Sequence, residues 1–287
     1  MPETVRQALS RAWDRLTAAD IEYAELEAEV LLRYALAPDR RLMRADLYTR
    51  LGDAIDNASA ARYENLIARR LAHEPSAYIT GHREFYGLDF HVTPDVLIPR
   101  PETELLVECA LKTHAAQHPE PVIVDVGTGS GAIAIAIASA LPNARVIATD
   151  VSEAALSVAR VNAHKHEMEG RIVLLQGDLL SPIETAVDLV VANLPYVTTP
   201  DWQALEPELR EHEPRLALDG GNDGLDLIRR LLTQAHSYLK PGGAVCLEFG
   251  IGQRDAIVAL ARAAFSDARI EVNDDFSGTP RVLVIET

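Results

Sequence analysis

A short segment with two potential hydrogen-bond acceptors follows an apolar run late in the chain: Asn193-Leu194-Pro195-Tyr196 comes after Val187-Asp-Leu-Val-Val191. The Asn193 side chain carries an amide oxygen, and Pro195 keeps Leu194 extended, so we expect the Leu194 carbonyl to face the same point. Two acceptors there bind both hydrogens of a substrate –NH2, and Tyr196 offers a flat face to a planar group. Such a pair orients a weakly nucleophilic nitrogen and stabilises the positive charge that develops on it during attack.

A glycine-rich loop earlier in the chain has the composition of a ligand-binding turn. It reads Asp125-Val-Gly127-Thr128-Gly129-Ser130-Gly131 and lies between a predicted strand and a predicted helix. Glycines there allow a sharp turn and the close approach of a ligand to the backbone. The loop has no lysine of the P-loop kind, which argues against nucleotide hydrolysis.

Three carboxylates are predicted to meet near this loop. Asp125 lies at its entrance, Asp150 ends the next strand, and Asp178 follows the third strand. The carboxyl ends of parallel strands share one edge of a sheet, where α/β proteins bind ligands. A carboxylate at position 150 suits the two hydroxyls of a ribose. Three acids also favour a cationic cofactor without phosphate, and S-adenosylmethionine has that chemistry.

The elements that must position these groups alternate between strand and helix from about residue 103 onward. Apolar runs predict strands at 122–126, 145–149, 172–175, 187–191, 244–249, 268–272 and 281–285. Helical periodicity lies between most of them. This alternation predicts an α/β fold with a mainly parallel seven-stranded sheet and helices on both faces.

The first part of the chain has a different pattern of apolar residues. Residues 1–72 show helical spacing, with a turn at Pro38-Asp39, and predict a small helical domain that serves substrate recognition. Residues 73–101 predict a linker with a short hairpin around Gly87. Residues 102–287 then form the predicted catalytic domain.

Composition excludes several classes of protein. The 287 residues are 48% hydrophobic and carry a formal net charge of −16, which argues against a nucleic-acid backbone as the main partner. The longest apolar run, residues 132–141, has about half the length that a bilayer requires, so we expect no membrane as a partner. Two cysteines exclude a disulfide framework, and no residue cluster has the spacing of metal ligands. The N-terminus has no apolar signal segment. We expect a soluble, cytoplasmic protein without a metal.

At this point the sequence resembles the class I, Rossmann-like methyltransferases, and among them the PrmC/HemK family. These enzymes methylate the side-chain amide nitrogen (N5) of glutamine in peptide chain release factors. The most specific match is Leu97-Ile-Pro-Arg-Pro-Glu-Thr-Glu104, and the glycine loop is shared with many methyltransferases. Further matches are Tyr78-Ile-Thr-Gly-His-Arg-Glu-Phe-Tyr-Gly87, Glu213-Pro-Arg-Leu-Ala-Leu218 and Asp223-Gly-Leu225.

The resemblance implies a role for each candidate site residue. The cofactor would be S-adenosylmethionine, with S-adenosylhomocysteine as its product, and the substrate would be the glutamine of a release factor's Gly-Gly-Gln motif. The implied cofactor-binding residues are Gly127, Thr128, Gly129, Ser130, Gly131, Asp150, Asp178, Leu179 and Asn193. The implied catalytic and substrate-binding residues are Asn193, Leu194, Pro195 and Tyr196. Residues 99–102 would shape the mouth of the pocket.

One residue departs from the family pattern and keeps an alternative open. The family usually has Asn-Pro-Pro-Tyr, whereas this chain has Leu194 at the second position. A backbone carbonyl serves equally well from leucine. However, Asn-Leu-Pro-Tyr is also typical of adenine methyltransferases that act on ribosomal RNA, so methylation of an exocyclic amino group in RNA or DNA is the alternative function. The acids of residues 201–226 favour a basic protein surface as the partner.

Overall fold

Apolar residues at helical spacing fold the first part of the chain into a helical unit. The computed structural model describes residues 3–38 and 42–287, and the chain divides into two compact units, Met1–Gly81 and His82–Thr287. The helices of the first unit are α1 (Val5–Ala18), α2 (Ala24–Leu36), α3 (Arg44–Thr49), α4 (Asn57–Leu71) and α5 (Ser76–Thr80). The predicted turn at Pro38-Asp39 extends outside the described residues, because Asp39 is not among them.

The core of the helical unit is formed by the residues that recur at helical spacing. Leu16, Leu31 and Ile67 are fully shielded from solvent and belong to one apolar cluster. Helix α1 begins at a capping box in which the side chains of Thr4 and Gln7 each accept a backbone N–H of the other. Amphipathic packing and a capped first turn therefore both favour helix formation here.

Residues 73–81, which the sequence analysis placed in a linker, belong to the helical unit in the structure. Pro75 precedes the short helix α5, and its fixed φ suits a helix start. Gly81 ends the helix with a φ of 74°. Ile79 is buried in the apolar cluster of this unit. A single helical turn has too little apolar periodicity to be predicted from sequence.

The second unit begins with a hairpin. Strands β1 (His82–Phe85) and β2 (Leu88–His91) pair antiparallel, and Gly87 takes a φ of 74° in the turn between them. A turn follows in which the Val96 N–H donates to the Thr93 carbonyl at 3.1 Å, and the chain then leads to a 3-10 turn at Pro101–Thr103. Pro94 lies in the first of these turns and Pro101 begins the second, while Arg100, just before the second, is extended.

A seven-stranded sheet forms the centre of the second unit. Its strands are β3 (Val122–Val126), β4 (Arg145–Asp150), β5 (Ile172–Gln176), β6 (Val187–Ala192), β7 (Leu239–Glu248), β8 (Arg269–Asp274) and β9 (Pro280–Glu286). The strand order is β5-β4-β3-β6-β7-β9-β8, with β9 antiparallel to both of its neighbours and the other pairs parallel. The predicted mainly parallel, seven-stranded α/β fold is therefore confirmed.

Helices cover both faces of this sheet. The helices packed against its strands are α6 (Glu104–Lys112), α7 (Ala132–Ala140), α8 (Glu153–Lys165), α11 (Asp226–Tyr238) and α12 (Arg254–Ala264). Two further short helices, α9 (Thr199–Ala204) and α10 (Pro207–His212), follow the sixth strand. Two consecutive residues of β3, Ile123 and Val124, belong to two different apolar clusters, as a sheet buried on both faces requires. Helices α9 and α10 were not predicted, because they are short and contribute no fully buried residue.

Parallel pairing brings the carboxyl ends of β3, β4, β5 and β6 to one edge of the sheet. The glycine loop, Asp150, Asp178 and the Asn193 segment all follow these ends directly. The fold therefore collects the predicted chemistry at one place. Within the described part of the chain, none of the helices has the length and apolarity of a transmembrane segment.

Candidate active site

The glycine loop turns sharply at the end of β3. Gly127, Gly129 and Gly131 have φ values of 74°, 53° and 80°, which residues with a side chain rarely adopt. The backbone N–H of Gly127 donates to the Thr149 carbonyl at 2.8 Å. A Cβ on Gly127 would lie only 3.1 Å from Cδ2 of Leu194. The loop therefore needs glycine both for its conformation and for its closeness to the Asn193 segment.

Asp150 ends β4 beside this loop. Its Oδ2 accepts from the Gly129 N–H at 2.9 Å, and its Oδ1 accepts from the Ser152 N–H at 2.9 Å. Burial raises the pKa of Asp150, and the backbone N–H donors oppose this effect. Because a carboxylate has about four acceptor positions, two remain available for hydroxyl groups of a ligand.

The other two predicted acids have different roles. Asp125 is fully buried, and its Oδ2 accepts from the Thr128 hydroxyl at 2.6 Å and from the Ala134 N–H at 3.2 Å. It therefore organises the loop from below and does not line the cavity. Burial raises the pKa of Asp125 to about 7. Asp178 does line the cavity, where it forms an ion pair with Arg230.

A cavity of about 350 Å³ lies over this edge of the sheet, within the usual size range of small-molecule sites. Of the predicted site residues, the structure brings these to its walls: Gly127, Thr128, Gly129, Ser130, Asp150, Asp178, Leu179, Asn193, Leu194 and Pro195. Gly131 and Tyr196 do not line it. Gly131 instead caps α7, where a Cβ would lie 3.3 Å from Cβ of Ala159.

Asn193 and Leu194 present acceptors at this cavity. The Asn193 Nδ2 donates to Oγ1 of Thr103 at 3.0 Å, so the amide nitrogen is occupied and Oδ1 remains as an acceptor. Among the residues that the structure describes, no group donates to Oδ1 of Asn193 or to the Leu194 carbonyl. Both predicted acceptors are therefore available to a ligand.

Tyr196 points away from the cavity. Its hydroxyl donates to Oε1 of Glu248 at 3.2 Å, and its ring packs against the apolar cluster that includes Val190 and Leu247. Burial raises the pKa of Tyr196, and the nearby Glu248 carboxylate raises it further. The tyrosine thus anchors the end of the segment in the core.

A loop from Asp219 to Gly224 braces the same segment from behind. A Cβ on Gly220 would collide with the Pro195 carbonyl, and one on Gly224 would collide with the Tyr196 carbonyl. Nε2 of Gln253 donates to that Tyr196 carbonyl at 2.9 Å. The carbonyls after Leu194 are thus enclosed by the protein. The Asp223-Gly-Leu225 motif belongs to this loop and supplies the glycine that lies against the Tyr196 carbonyl.

An ion pair closes one side of the cavity. Glu213 is buried, accepts from the Arg100 guanidinium, and accepts from the Ile98 N–H at 3.2 Å. Burial raises the pKa of Glu213, and the charge of Arg100 opposes this rise. Pro99 and Arg100 line the cavity, so the pair holds the proline-rich segment in place. These residues belong to the predicted mouth of the pocket.

Sequence reasoning missed other residues at the site. Thr103 contacts Asn193 directly, and its only sequence signal was its place in the Ile-Pro-Arg-Pro-Glu-Thr-Glu segment. Phe85, Asp95 and Leu216 also line the cavity, although they lie far from the glycine loop in sequence. Only the folded chain brings them to that place.

The acidic stretch 201–226 is partly neutralised in the structure. Arg215 pairs with Asp219, and Arg229 pairs with both Asp223 and Asp226. The Arg215 guanidinium also lies 4.1 Å from the ring centroid of Trp202. The acids of this stretch therefore stabilise local structure in addition to contributing negative charge near the cavity.

Comparison with known proteins assigns a family to this architecture. Residues 7–81 match the family model of the PrmC N-terminal domain, and residues 101–207 match that of the methyltransferase small domain. A methyltransferase of known structure from Pyrococcus furiosus is 20% identical and has a TM-score of 0.54. It covers 78% of this chain and 98% of its own, which indicates a shared fold.

Relatives named as release factor glutamine methyltransferases match almost the whole chain. A release factor glutamine methyltransferase of Moorella thermoacetica is 47% identical over 279 residues, or 97% of this chain and 96% of the relative. A release factor glutamine methyltransferase of Geobacter sulfurreducens is 43% identical, and the match covers 92% of this chain and 90% of the relative. At 97% and 92% of this chain, these matches span both units. The chain therefore belongs to the family of release factor glutamine methyltransferases.

Proposed function

We propose that this protein transfers a methyl group from S-adenosylmethionine to the side-chain amide nitrogen (N5) of a glutamine in a peptide chain release factor, within its Gly-Gly-Gln motif. One observation carries the proposal: Oδ1 of Asn193 and the carbonyl of Leu194 are both free acceptors at the cavity. A primary amide has two N–H donors, which this pair of acceptors fits.

The residues of the cavity fit the proposed cofactor. Gly127 and Gly129 leave the loop without side chains where a ligand approaches, and Asp150 retains acceptor capacity for ribose hydroxyls. Asp95 and Asp150 add negative charge to the walls, which suits a cationic ligand. When bound, this cofactor supplies an electrophilic methyl group and leaves as S-adenosylhomocysteine, while the substrate amide loses one proton.

The chain's own residues supply orientation and electrostatic stabilisation. Asn193 and Leu194 hold the amide nitrogen by its two hydrogens, which fixes the direction of its lone pair. Their oxygens also stabilise the positive charge that grows on this nitrogen as the new bond forms. Pro195 and the brace at Gly220 keep the Leu194 carbonyl in place. The proposal requires no strong general base.

The partner is a protein rather than a nucleic acid in this proposal. Both arginines that line the cavity, Arg100 and Arg230, are paired with carboxylates, so neither presents a free cation to a phosphate. The net charge of −16 also argues against binding of a phosphate backbone. The alternative function is methylation of an adenine amino group in RNA or DNA, which the Asn-Leu-Pro-Tyr motif favours.

The test is incubation with isotope-labelled cofactor and either a release factor or RNA. We expect label in the protein, and mass spectrometry should locate one added methyl on the glutamine of the Gly-Gly-Gln motif. Label in RNA alone would reject the proposal.

The variant Asn193→Ala tests the role of the amide. We expect kcat to fall by about 10²–10³-fold, as when one preorganised hydrogen-bonding group is removed from a catalytic site. The cofactor Kd should change by less than about threefold, because in this proposal Oδ1 of Asn193 holds the substrate amide, whereas the glycine loop and Asp150 hold most of the cofactor. Unchanged turnover in a folded variant would contradict the assigned role.

A further inference from the structure

The side chain of Leu216 lies at the opening of the cavity. Leu216 lines the cavity wall, yet it is 61% exposed to solvent. Pro214 and Ala217 line the cavity beside it, so this part of the mouth is apolar. An exposed leucine is ordinary on a protein surface, but one at the mouth of a substrate cavity belongs to the surface that a bound substrate covers.

The turn that carries Leu216 is held on both sides. It is a 3-10 turn, Arg215–Ala217, and the residue two positions before it, Glu213, is buried and ion-paired. The Arg215 guanidinium donates to Oδ2 of Asp219 through Nε at 3.0 Å and through Nη2 at 2.7 Å. These contacts limit the movement of the turn, so Leu216 keeps a defined place at the mouth.

The proposed substrate brings its main chain to this mouth. Only a few bonds separate the amide of a glutamine side chain from its main chain. When Asn193 and Leu194 hold that amide inside the cavity, the main chain of the glutamine and of its neighbours must cross the opening. The two residues before the glutamine are glycines, whose main chain approaches a wall more closely than that of any other residue.

We propose that Leu216 is a specificity-determining residue, which packs against the main chain of the glycine directly before the substrate glutamine and fills the space that a side chain there would need. This inference rests on the proposed function, because it concerns the substrate of the same cavity. A Cβ on that substrate residue would collide with a leucine that its anchored turn keeps in place, and such overpacking weakens binding.

The experiment pairs a change in the enzyme with a change in the substrate. The full-length protein and Leu216→Ala are each assayed, at saturating S-adenosylmethionine, with a release factor whose motif reads Gly-Gly-Gln and with one that reads Gly-Ala-Gln. For the unmodified enzyme, we expect kcat/KM to be about tenfold or more lower with the alanine substrate. For Leu216→Ala, we expect this difference to shrink to about threefold or less, because the smaller side chain leaves room for the added methyl group.

The Gly-Gly-Gln substrate alone gives a second readout. Leu216→Ala should raise KM for the release factor by about threefold or more, since apolar contact with the substrate is lost, and should change kcat by less than about twofold. The Kd of S-adenosylmethionine, measured by isothermal titration calorimetry, should also stay within about twofold. A weaker cofactor Kd with an unchanged KM for the release factor would place Leu216 against the cofactor and overturn the proposal.

Two control variants accompany Leu216→Ala. Leu216→Met retains an apolar side chain of similar volume and should keep the preference for Gly-Gly-Gln. Ile251→Ala removes another exposed apolar side chain, one that is 73% exposed and follows β7 at the same edge of the sheet but does not line the cavity. We expect Ile251→Ala to behave as the unmodified enzyme. A preference lost equally in Ile251→Ala and Leu216→Ala would contradict a specific role for Leu216.

The two proposals fail in different ways. If the unmodified protein methylates no glutamine in a release factor, the proposed function is wrong. If it does, but Leu216→Ala disfavours the Gly-Ala-Gln substrate as strongly as the unmodified enzyme, or the unmodified enzyme accepts both substrates equally, the function stands and the role of Leu216 is rejected.

Discussion

Some residues of the site face the ligand, and others keep those ligand-facing residues in position. Asp150 illustrates both tasks, because its oxygens already accept from Gly129 and Ser152 and still have capacity for a ribose. Asp125 performs only the second task, since it is buried below the loop and bonded to Thr128. Residue type alone does not distinguish these carboxylates, whereas their exposure to the cavity does.

The variant Asp150→Asn is expected to weaken cofactor binding. Loss of the charged acceptor should raise the Kd of S-adenosylmethionine by about tenfold or more, consistent with hydrogen bonds to charged groups. Isothermal titration calorimetry measures this change directly. Asp178→Asn is the matched control, because Asp178 is half exposed and paired with Arg230, so its charge contributes less. A larger effect at 178 than at 150 would contradict this ranking.

At the scale of elements, the site depends on loops held between rigid strand ends. The Asn193 segment leaves β6 and is braced by residues 219–224 and by Gln253 at the start of α12. Gly224 is central to the brace, because its φ of 74° and the nearby Tyr196 carbonyl exclude a side chain. The brace determines which carbonyl of the segment remains free.

The variant Gly224→Ala should therefore impair catalysis by moving the Asn193 segment. A displacement of this kind is expected to lower kcat by about 10²-fold, since small errors in position are costly. Gly278→Ala is the matched control: its φ is 80°, but a Cβ there meets no atom within 4 Å. Both variants strain the backbone, but only Gly224→Ala should displace the Asn193 segment, so steady-state kinetics on the two variants distinguishes these effects. Similar losses in both would argue against the brace.

Across the whole molecule, electrostatic interactions affect both the stability of the fold and the rate of association with a charged partner. Two carboxyl groups, Asp125 and Glu248, have pKa values raised to about 7 by burial. In the pH range below that value, the folded protein holds protons that the unfolded chain has released. The contribution of these groups to stability therefore decreases as pH rises toward 7.

Denaturant unfolding of the intact chain and Glu248→Gln at roughly pH 5 and roughly pH 8 measures this effect. We expect the free energy of unfolding of the intact chain to fall relative to the variant as pH increases. Asp275→Asn is the control, since hydrogen bonds from Ser277 lower the pKa of Asp275 to about 2, so it does not titrate in this range. Parallel pH curves for the intact chain and Glu248→Gln would contradict the prediction.

The net charge of −16 leads to a further expectation for the whole molecule. If a basic protein surface is the partner, added salt should lower kcat/KM for the intact release factor by screening long-range attraction. The turnover rate at saturating substrate should change little, because the cavity contacts are short-ranged. Initial rates across a series of salt concentrations test this. A kcat/KM independent of salt would show that acidity does not guide the encounter.

The class of fold, the glycine loop and the Asn193 segment could all be predicted from local sequence patterns. These features follow from local rules: buried parallel strands are continuous apolar runs, and sharp turns against a ligand require glycine. The sequence also indicated that Asp150 and Asp178 would meet the loop, because parallel strands end at one edge. The two short helices after Asn193 escaped prediction, since they bury too little to have a periodic pattern.

Which groups face the cavity and which support them depends on how the chain packs. The tertiary structure buried Asp125, turned Tyr196 toward Glu248, and brought Thr103 within 3.0 Å of Asn193 across 90 positions of sequence. Sequence patterns report the periodicity of one element at a time, whereas such contacts arise where loops from several elements pack together. The orientation of a single amide, on which the proposed chemistry depends, is therefore a property of the folded chain.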